Sequence, residues 1–103
     1  MSRRRTWSDL REERLSTPEA RQAYWAAMRA FHIGEEVRRL RTERGLSQRE
    51  LAERMGVTQS VVARLEAGGV EPRLSTLDRV AQALNVELEV HFQAGTPRDR
   101  AVS

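Results

Sequence analysis

The sequence contains no cysteine and no lysine, and only five of its 103 residues are aromatic. The absence of cysteine excludes a disulfide framework, a thiolate nucleophile and a thiolate-based zinc finger. No apolar run approaches the ~18 residues of a membrane-spanning helix. The basic start at Arg3–Arg5 leads into Trp7 and charged residues rather than into the apolar core of a signal peptide. We therefore expect a cytoplasmic protein without membrane contact.

The side chains present do not form a recognisable metal site or catalytic group. The two histidines, His32 and His91, are far apart in the sequence, and no Ser-His-Asp set, catalytic carboxylate pair or glycine-rich phosphate loop occurs. The sequence therefore predicts no enzyme activity, no cofactor and no metal. A chain of 103 residues allows one small domain with a tail. Because so small a domain buries a limited share of its surface, an oligomer or a partner is favoured.

Charge is abundant, with 18 basic residues, all of them arginine, against 15 acidic residues. The resulting formal charge of +3 is too small to indicate nucleic acid by itself, so the positions of the arginines must decide. Several arginines alternate with glutamates, which is typical of a solvated, ion-paired helix surface. This set comprises Arg38, Arg39, Arg44, Arg49 and Arg54.

The beginning of the chain predicts a tail and a helical arm. Residues 1–6 are expected to be a flexible basic tail, with an arm that contacts the minor groove or phosphates of DNA as the alternative. Ser8 is expected to begin a short helix. Thr17–Glu19 is typical of a helix start, because a hydroxyl N-cap precedes proline and an acidic residue.

Two apolar stripes follow this helix start, one over Ala20–Phe31 and one over Ile33–Leu40. Their spacing places them on roughly opposite sides of a helix. Either the helix breaks near Gly34 or one long helix contacts two different surfaces. A helical glycine costs only about 1 kcal/mol, which favours the long helix.

Three short helices and a strand are predicted in the second half of the chain. Ser47–Glu50 forms a capping box that begins one helix, and Thr58 caps the next. Ser75–Asp78 resembles a second capping box and begins the last helix. Alternating apolar residues predict a strand with one solvated face at 86–93, before a disordered tail at 94–103. The inward-facing helix residues are predicted to be Leu51, Ala52, Met55, Val61, Val62, Leu65, Leu77, Val80, Ala81 and Leu84.

The helices Ser47–Met55 and Thr58–Ala67 are joined by Gly56-Val57 alone, which predicts a helix-turn-helix arrangement. The stretch GLSQRELAERMGVTQSVVARLEAGGVEPRLSTLDRVAQALNVEL resembles the Cro/C1-type (Xre) helix-turn-helix proteins. Spacing agrees throughout: LSQ-x-x-LA, then G, then Q-x-x-V-x-x-LE-x-G, then P-x-L-x-TL. The resemblance implies an all-α, lambda-repressor-like DNA-binding domain at 33–85, preceded by a tail and helical arm at 1–32.

The resemblance also assigns contacts to double-stranded operator DNA. Gln48 matches a residue that hydrogen-bonds a phosphate, and Arg73 matches a phosphate-facing loop. Gln59 and Arg64 are expected to contact base edges, because glutamine suits adenine and arginine suits guanine. Arg49 is either a further phosphate contact or solvated surface. The predicted DNA-binding set is Gln48, Arg49, Thr58, Gln59, Ser60, Arg64 and Arg73. Glu66 matches a glutamate that pairs internally with an arginine of the preceding helix, here Arg41.

Aromatic residues are concentrated in the arm, which either pads the core of the domain or contacts a protein partner. The candidate partner-binding residues are Trp7, Tyr24, Trp25, Met28 and Phe31. The motifs LSTPEARQAY and VELEVHF are similar to those of HigA-type antitoxins. This similarity implies a homodimer that neutralises a RelE/HigB-like mRNA-cleaving toxin and represses its own operon. The predicted strand at 86–93 then contacts the toxin or pairs with its symmetry mate, since a lone strand has unpaired edges.

Two other functions are compatible with the same residues. The chain is either a stand-alone Xre regulator whose arm only stabilises the domain, or a protein-interaction adaptor that uses the helices as a scaffold. The modest charge of +3 leaves the adaptor open. A toxin-like reading frame beside this one is the feature that separates an antitoxin from a stand-alone regulator.

Overall fold

The computed structural model describes residues 16–94, within which four α-helices and no β-strand occur. The helices are α1 (Pro18–Glu43), α2 (Gln48–Met55), α3 (Gln59–Ala67) and α4 (Leu74–Leu84). None of the four is long and apolar enough to cross a membrane. The predicted basic tail, the short helix after Ser8, Trp7 and the tail beyond residue 94 lie outside the described residues. By packing, the chain divides into two compact units, one of which is 26–89 and the other of which includes 16–25 and 90–94.

Helix α1 is one continuous helix of 26 residues, as the sequence predicts. It begins at the predicted cap, where the Thr17 hydroxyl accepts a hydrogen bond of 3.0 Å from the Ala20 backbone amide. The second stripe faces the core, because Val37 is buried and Ile33 and Leu40 pack against the core residues. Gly34 lies inside the helix without breaking it.

The start of α2 is held by the predicted capping box. The Ser47 hydroxyl accepts a hydrogen bond of 3.0 Å from the Glu50 amide, and the Glu50 carboxylate accepts one of 2.9 Å from the Ser47 amide. The pKa of Glu50 is held below its ordinary value, chiefly by the hydrogen bond that the Ser47 backbone amide donates to the carboxylate and next by the Ser47 side chain. Thr58 occupies the N-cap of α3 as predicted, but its side chain makes no capping hydrogen bond.

Helix α4 begins earlier than the sequence indicates. Its N-cap is Arg73 rather than Ser75, and no side chain caps it. The backbone supplies the first turn instead, since the Arg73 carbonyl accepts hydrogen bonds from the amides of Thr76 and Leu77 at 3.0 and 3.1 Å. The predicted C-cap is present: Asn85 ends the helix with φ of +56°, a conformation that asparagine tolerates.

The predicted C-terminal strand is wrong for the described chain, in which residues 86–94 form no regular secondary structure. A strand requires a second extended segment that exchanges backbone hydrogen bonds with it, and residues 16–94 provide none. Val86 packs against the core instead, and its amide hydrogen-bonds the Ala81 carbonyl at 2.9 Å. Phe92, at the other end of this segment, is fully exposed.

The hydrophobic core lies within residues 26–89 and is built from all four helices. Its buried members are Val37, Leu46, Leu51, Ala52, Met55, Val62, Leu65, Val80 and Leu84. Most of the residues predicted to face inward are therefore buried, whereas Val61 and Leu77 are half-buried. Because α2 and α3 both contribute buried residues to this core, they pack against each other and their polar faces remain exposed.

Two glycines allow the backbones of α1 and α3 to approach closely. A Cβ atom at Gly34 would lie 2.6 Å from the carbonyl oxygens of Leu65 and Glu66. Gly68 ends α3 with φ of +74°, and a Cβ atom there would lie 2.7 Å from the Cα of Phe31. The close approach brings the side chains of α1 within reach of Glu66.

Candidate nucleic-acid interface

The predicted base-contacting residues share the exposed face of α3. Thr58, Gln59, Ser60 and Arg64 are all exposed, whereas Val62, Leu65 and Glu66 on the same helix are buried. The helical period explains this division, because residues three and four apart lie on one face. The burial of Val62 and Leu65 therefore turns the polar set towards solvent.

Arg64 and Arg73 have no carboxylate partner within residues 16–94, as is also the case for Arg44, Arg54 and Arg79. Arg39, by contrast, hydrogen-bonds both Glu36 and Glu43, and Arg49 lies 3.3 Å from Glu53. An arginine that is not paired with a carboxylate of the same protein has its guanidinium available to bind an external anion such as a phosphate. Of the two arginines predicted to contact phosphate, Arg73 has no carboxylate partner within the described residues, whereas Arg49 is paired with the exposed Glu53.

Beside this face lies a buried carboxylate, that of Glu66, whose side chain has no exposed surface. Arg41 Nε donates to Glu66 Oε2 at 2.6 Å and Arg41 Nη2 donates to Oε1 at 3.0 Å. The third nitrogen of the guanidinium, Nη1, donates to the Leu46 carbonyl at 2.7 Å. The residues that the resemblance pairs are thus in bidentate contact, and they join α1 to α3.

Gln48 approaches the same carboxylate from the start of α2. Its Nε2 donates to Glu66 Oε1 at 3.1 Å, so the predicted phosphate contact is anchored to α3 by its side-chain amide. Arg38 Nε lies 3.6 Å from the same oxygen. Sequence reasoning placed Arg38 on the solvated surface and missed this convergence. The available signal was the spacing of Arg38 and Arg41, which puts them on one face of a helix.

Opposing effects determine the ionisation of Glu66. Burial disfavours the charged carboxylate and by itself raises the pKa, but hydrogen bonds from Arg41 and Gln48 and the nearby positive charges outweigh it. The pKa of Glu66 is therefore held below its ordinary value, and that of Arg41 is raised, chiefly by its hydrogen bond to Glu66. Glu66 is accordingly a charged group enclosed by donors.

A second ion pair connects the loop that carries Arg73 to α1. Arg29 Nε donates to the Glu71 carboxylate, and both side chains are partly exposed. The two residues are 42 positions apart in the sequence, so no local pattern predicts the contact. Through Glu71, helix α1 restrains the segment between Gly69 and Arg73.

The candidate partner-binding residues are unequal in exposure. Tyr24, Trp25 and Met28 are half-buried, and the rings of Tyr24 and Trp25 pack edge to face with their centres 5.1 Å apart. Phe31 is 48% exposed, and its ring lies beside that of His32. Among residues 16–94, no group of three or more His, Asp or Glu side chains is arranged to bind a metal ion.

Two short helices joined by a tight glycine turn, the second with an exposed polar face, define a helix-turn-helix module. The model of the helix-turn-helix family HTH_3 matches residues 37–91. The chain therefore belongs to this family, which is of the Cro/C1 (Xre) type and comprises DNA-binding regulators.

Similar proteins share this module within chains of different length. An HTH-type regulator of Sinorhizobium fredii, y4dJ, is 40% identical over 67 residues, which are 65% of this chain and 83% of that protein. A second regulator from that organism, y4dL, is 42% identical over 62 residues, which are 60% of this chain but 32% of that protein. Antitoxin HigA1 of Mycobacterium tuberculosis is 43% identical over 60 residues, which are 58% of this chain and 40% of HigA1. The chain therefore spans less than half the length of two of these relatives, y4dL and HigA1.

A solved structure has the same arrangement of helices. The restriction-modification controller protein C.AhdI from Aeromonas hydrophila is 34% identical, with a TM-score of 0.57. The superposition covers 59% of this chain and 88% of C.AhdI.

Proposed function

We propose that this protein is a transcriptional regulator that binds double-stranded operator DNA in a sequence-specific manner. The observation that carries the proposal is the exposed polar face of α3, with Gln59, Ser60 and Arg64, on the second helix of a helix-turn-helix module. In such modules the second helix enters the major groove and its side chains contact base edges. Arg64, which lacks a counterion within the described residues, is the principal candidate for a guanine contact.

Phosphate contacts flank the base contacts in this proposal. Gln48 lies at the start of α2, and Arg73 is the N-cap of α4 and is exposed. Contacts of this kind fix the register of a protein on the duplex but carry no sequence information. We include Arg49 and Thr58 in the proposed set as side chains exposed beside these contacts.

A homodimer is the assembly that this function favours. Two copies related by a two-fold axis place two α3 helices in successive major grooves, about 34 Å apart. A short helix with few base-contacting side chains specifies too few base pairs alone, and a second copy doubles the length of the site that is recognised.

Replacement of Arg64 tests the base contact. Arg64→Ala is expected to weaken operator binding by about 1–3 kcal/mol and to relax the preference at one base pair. The operator is first selected from a library of random duplexes with the wild-type protein, and each variant is then titrated against it and its single-base variants. Arg39→Ala is the matched control, because Arg39 is occupied by Glu36 and Glu43. Equal binding by wild type and Arg64→Ala would contradict the assignment.

We further propose that the protein is an antitoxin that neutralises a RelE/HigB-like toxin and represses the operon it shares with that toxin. The supporting observation is the similarity to antitoxin HigA1 over 60 residues. Among the four candidate toxin contacts within residues 16–94, Phe31 is the most exposed, since Tyr24, Trp25 and Met28 are half-buried.

Co-expression with the neighbouring toxin-like reading frame tests this second proposal. The wild-type protein is expected to rescue growth, and Phe31→Ala to lose rescue while it retains operator binding. Val70→Ala, which shortens another exposed apolar side chain, is the control and should behave as wild type. The absence of a toxin-like frame, or full rescue by Phe31→Ala, would count against a toxin contact at this position and favour a stand-alone regulator.

A further inference from the structure

Oxygen Oε1 of Glu66, to which Arg41 Nη2 donates, also has nitrogen atoms of Gln48 and Arg38 beside it. Gln48 Nε2, on α2, lies 3.1 Å from Oε1, and Arg38 Nε, on α1, lies 3.6 Å from it. The two side chains belong to different helices but lie beside the same carboxylate oxygen. Gln48 is half-buried, whereas the Arg38 side chain is 57% exposed.

The charge of Glu66 is neutralised by Arg41 rather than by Arg38. Arg41 is 15% exposed and donates two hydrogen bonds to the carboxylate, whereas Arg38 Nε stays beyond ordinary hydrogen-bond distance. The cluster of two arginines and one glutamate therefore retains a positive charge, and Arg38 carries it on the solvent side. The adjacent Arg39 differs, because it hydrogen-bonds two exposed carboxylates on its own helix.

We propose that Arg38 is a further contact to the DNA phosphate backbone, held beside Gln48 by the buried carboxylate of Glu66. The inference rests on the proposed DNA-binding function. A guanidinium matches a phosphate group in shape and charge. The Gln48 amide has two N–H groups, of which one is engaged by Glu66, so the other is available beside Arg38. Donors from α1 and α2 thus form one phosphate-binding position, which is separate from the base-contacting face of α3.

The salt dependence of DNA binding tests the inference, because each phosphate neutralised contributes about 0.9 to the slope of log K against log salt. A fluorescent random-sequence duplex is titrated with wild type, Arg38→Gln and Arg39→Gln over a range of salt concentrations. Arg38→Gln is expected to lower the magnitude of the slope by about 0.9, and Arg39→Gln to keep the wild-type slope. The ratio of operator to random-duplex affinity should be unchanged in Arg38→Gln, since a phosphate contact carries no sequence information.

The possible results separate this inference from the function on which it rests. A wild-type slope in Arg38→Gln, or an equal reduction in both variants, overturns the role of Arg38 while wild-type binding still supports DNA recognition. Failure of the wild-type protein to bind any duplex overturns both. Thermal melting is expected to be alike in both variants, because Arg41 alone supplies the arginine hydrogen bonds to Glu66. A lower melting temperature in Arg38→Gln alone, with an unchanged slope, would make Arg38 structural and overturn the inference.

Discussion

Arg41→Met is expected to lower the free energy of unfolding by about 3–5 kcal/mol, because it leaves the buried charge of Glu66 without its principal partner. Glu66 has no exposed side-chain surface, so water cannot replace the two hydrogen bonds that Arg41 donates. The Leu46 carbonyl loses its donor as well. Since small domains have only about 5–15 kcal/mol of stability in total, urea denaturation should show a large displacement of the midpoint.

The double variant Arg41→Met, Glu66→Leu is the control for this expectation. Removing both charges and filling the space with apolar groups also removes the desolvation penalty, so at least half of the lost stability should return. If the double variant were as unstable as Arg41→Met, the loss would come from packing rather than from an uncompensated charge.

Acidification distinguishes the same two explanations. The pKa of folded Glu66 lies below its ordinary value of 4.5. The ion pair therefore stabilises the fold fully above that pH, and this stability is lost as the pH falls through the folded pKa. The double variant lacks Glu66 and should lose less stability than wild type below pH 4.5. Some loss should remain, because Glu50 also has a lowered pKa and is retained.

Features that depend on neighbouring residues are predictable from the sequence. The caps at Thr17 and Ser47 arise from hydrogen bonds between residues three positions apart, so the residue types alone indicate them. The exposed face of α3 follows from the helical period in the same way. The cap predicted at Ser75 was wrong, because α4 begins at Leu74 with backbone hydrogen bonds to the Arg73 carbonyl, an arrangement that needs no capping side chain.

Features that depend on distant segments were missed or mistaken. The alternation at 86–93 satisfies the side-chain pattern of a strand, but a strand also requires a paired backbone, which residues 16–94 do not supply. The convergence of Arg38 and Gln48 on Glu66 depends on how α1 and α2 each pack against α3, and helical periodicity does not predict that packing. The family resemblance indicated the Arg41–Glu66 contact, because proteins with the same motif spacing pack the corresponding helices in the same way. No such pattern covers Arg38.

The close approach of α1 and α3 depends on Gly34, and Gly34→Ala is expected to lower the free energy of unfolding by about 2–3 kcal/mol. Helix propensity alone predicts the opposite sign, since alanine in a helix is favoured over glycine by about 1 kcal/mol. The added methyl group would lie 2.6 Å from the carbonyl oxygens of Leu65 and Glu66. Both obstacles are backbone atoms, so relief requires that the two helices separate.

Gly69→Ala is the matched control for Gly34→Ala. A Cβ atom at Gly69 meets nothing within 4 Å, and the residue has no left-handed backbone conformation. The free energy of unfolding of Gly69→Ala should therefore equal that of wild type or exceed it by up to about 1 kcal/mol. Separation of α1 from α3 in Gly34→Ala should also move Arg41 away from Glu66, so the variant is expected to lose part of the acid-dependent stability as well. Both quantities are measured by urea denaturation at neutral and acidic pH. A gain in stability from Gly34→Ala would show that helix propensity outweighs the contact and that the backbones can part at little cost.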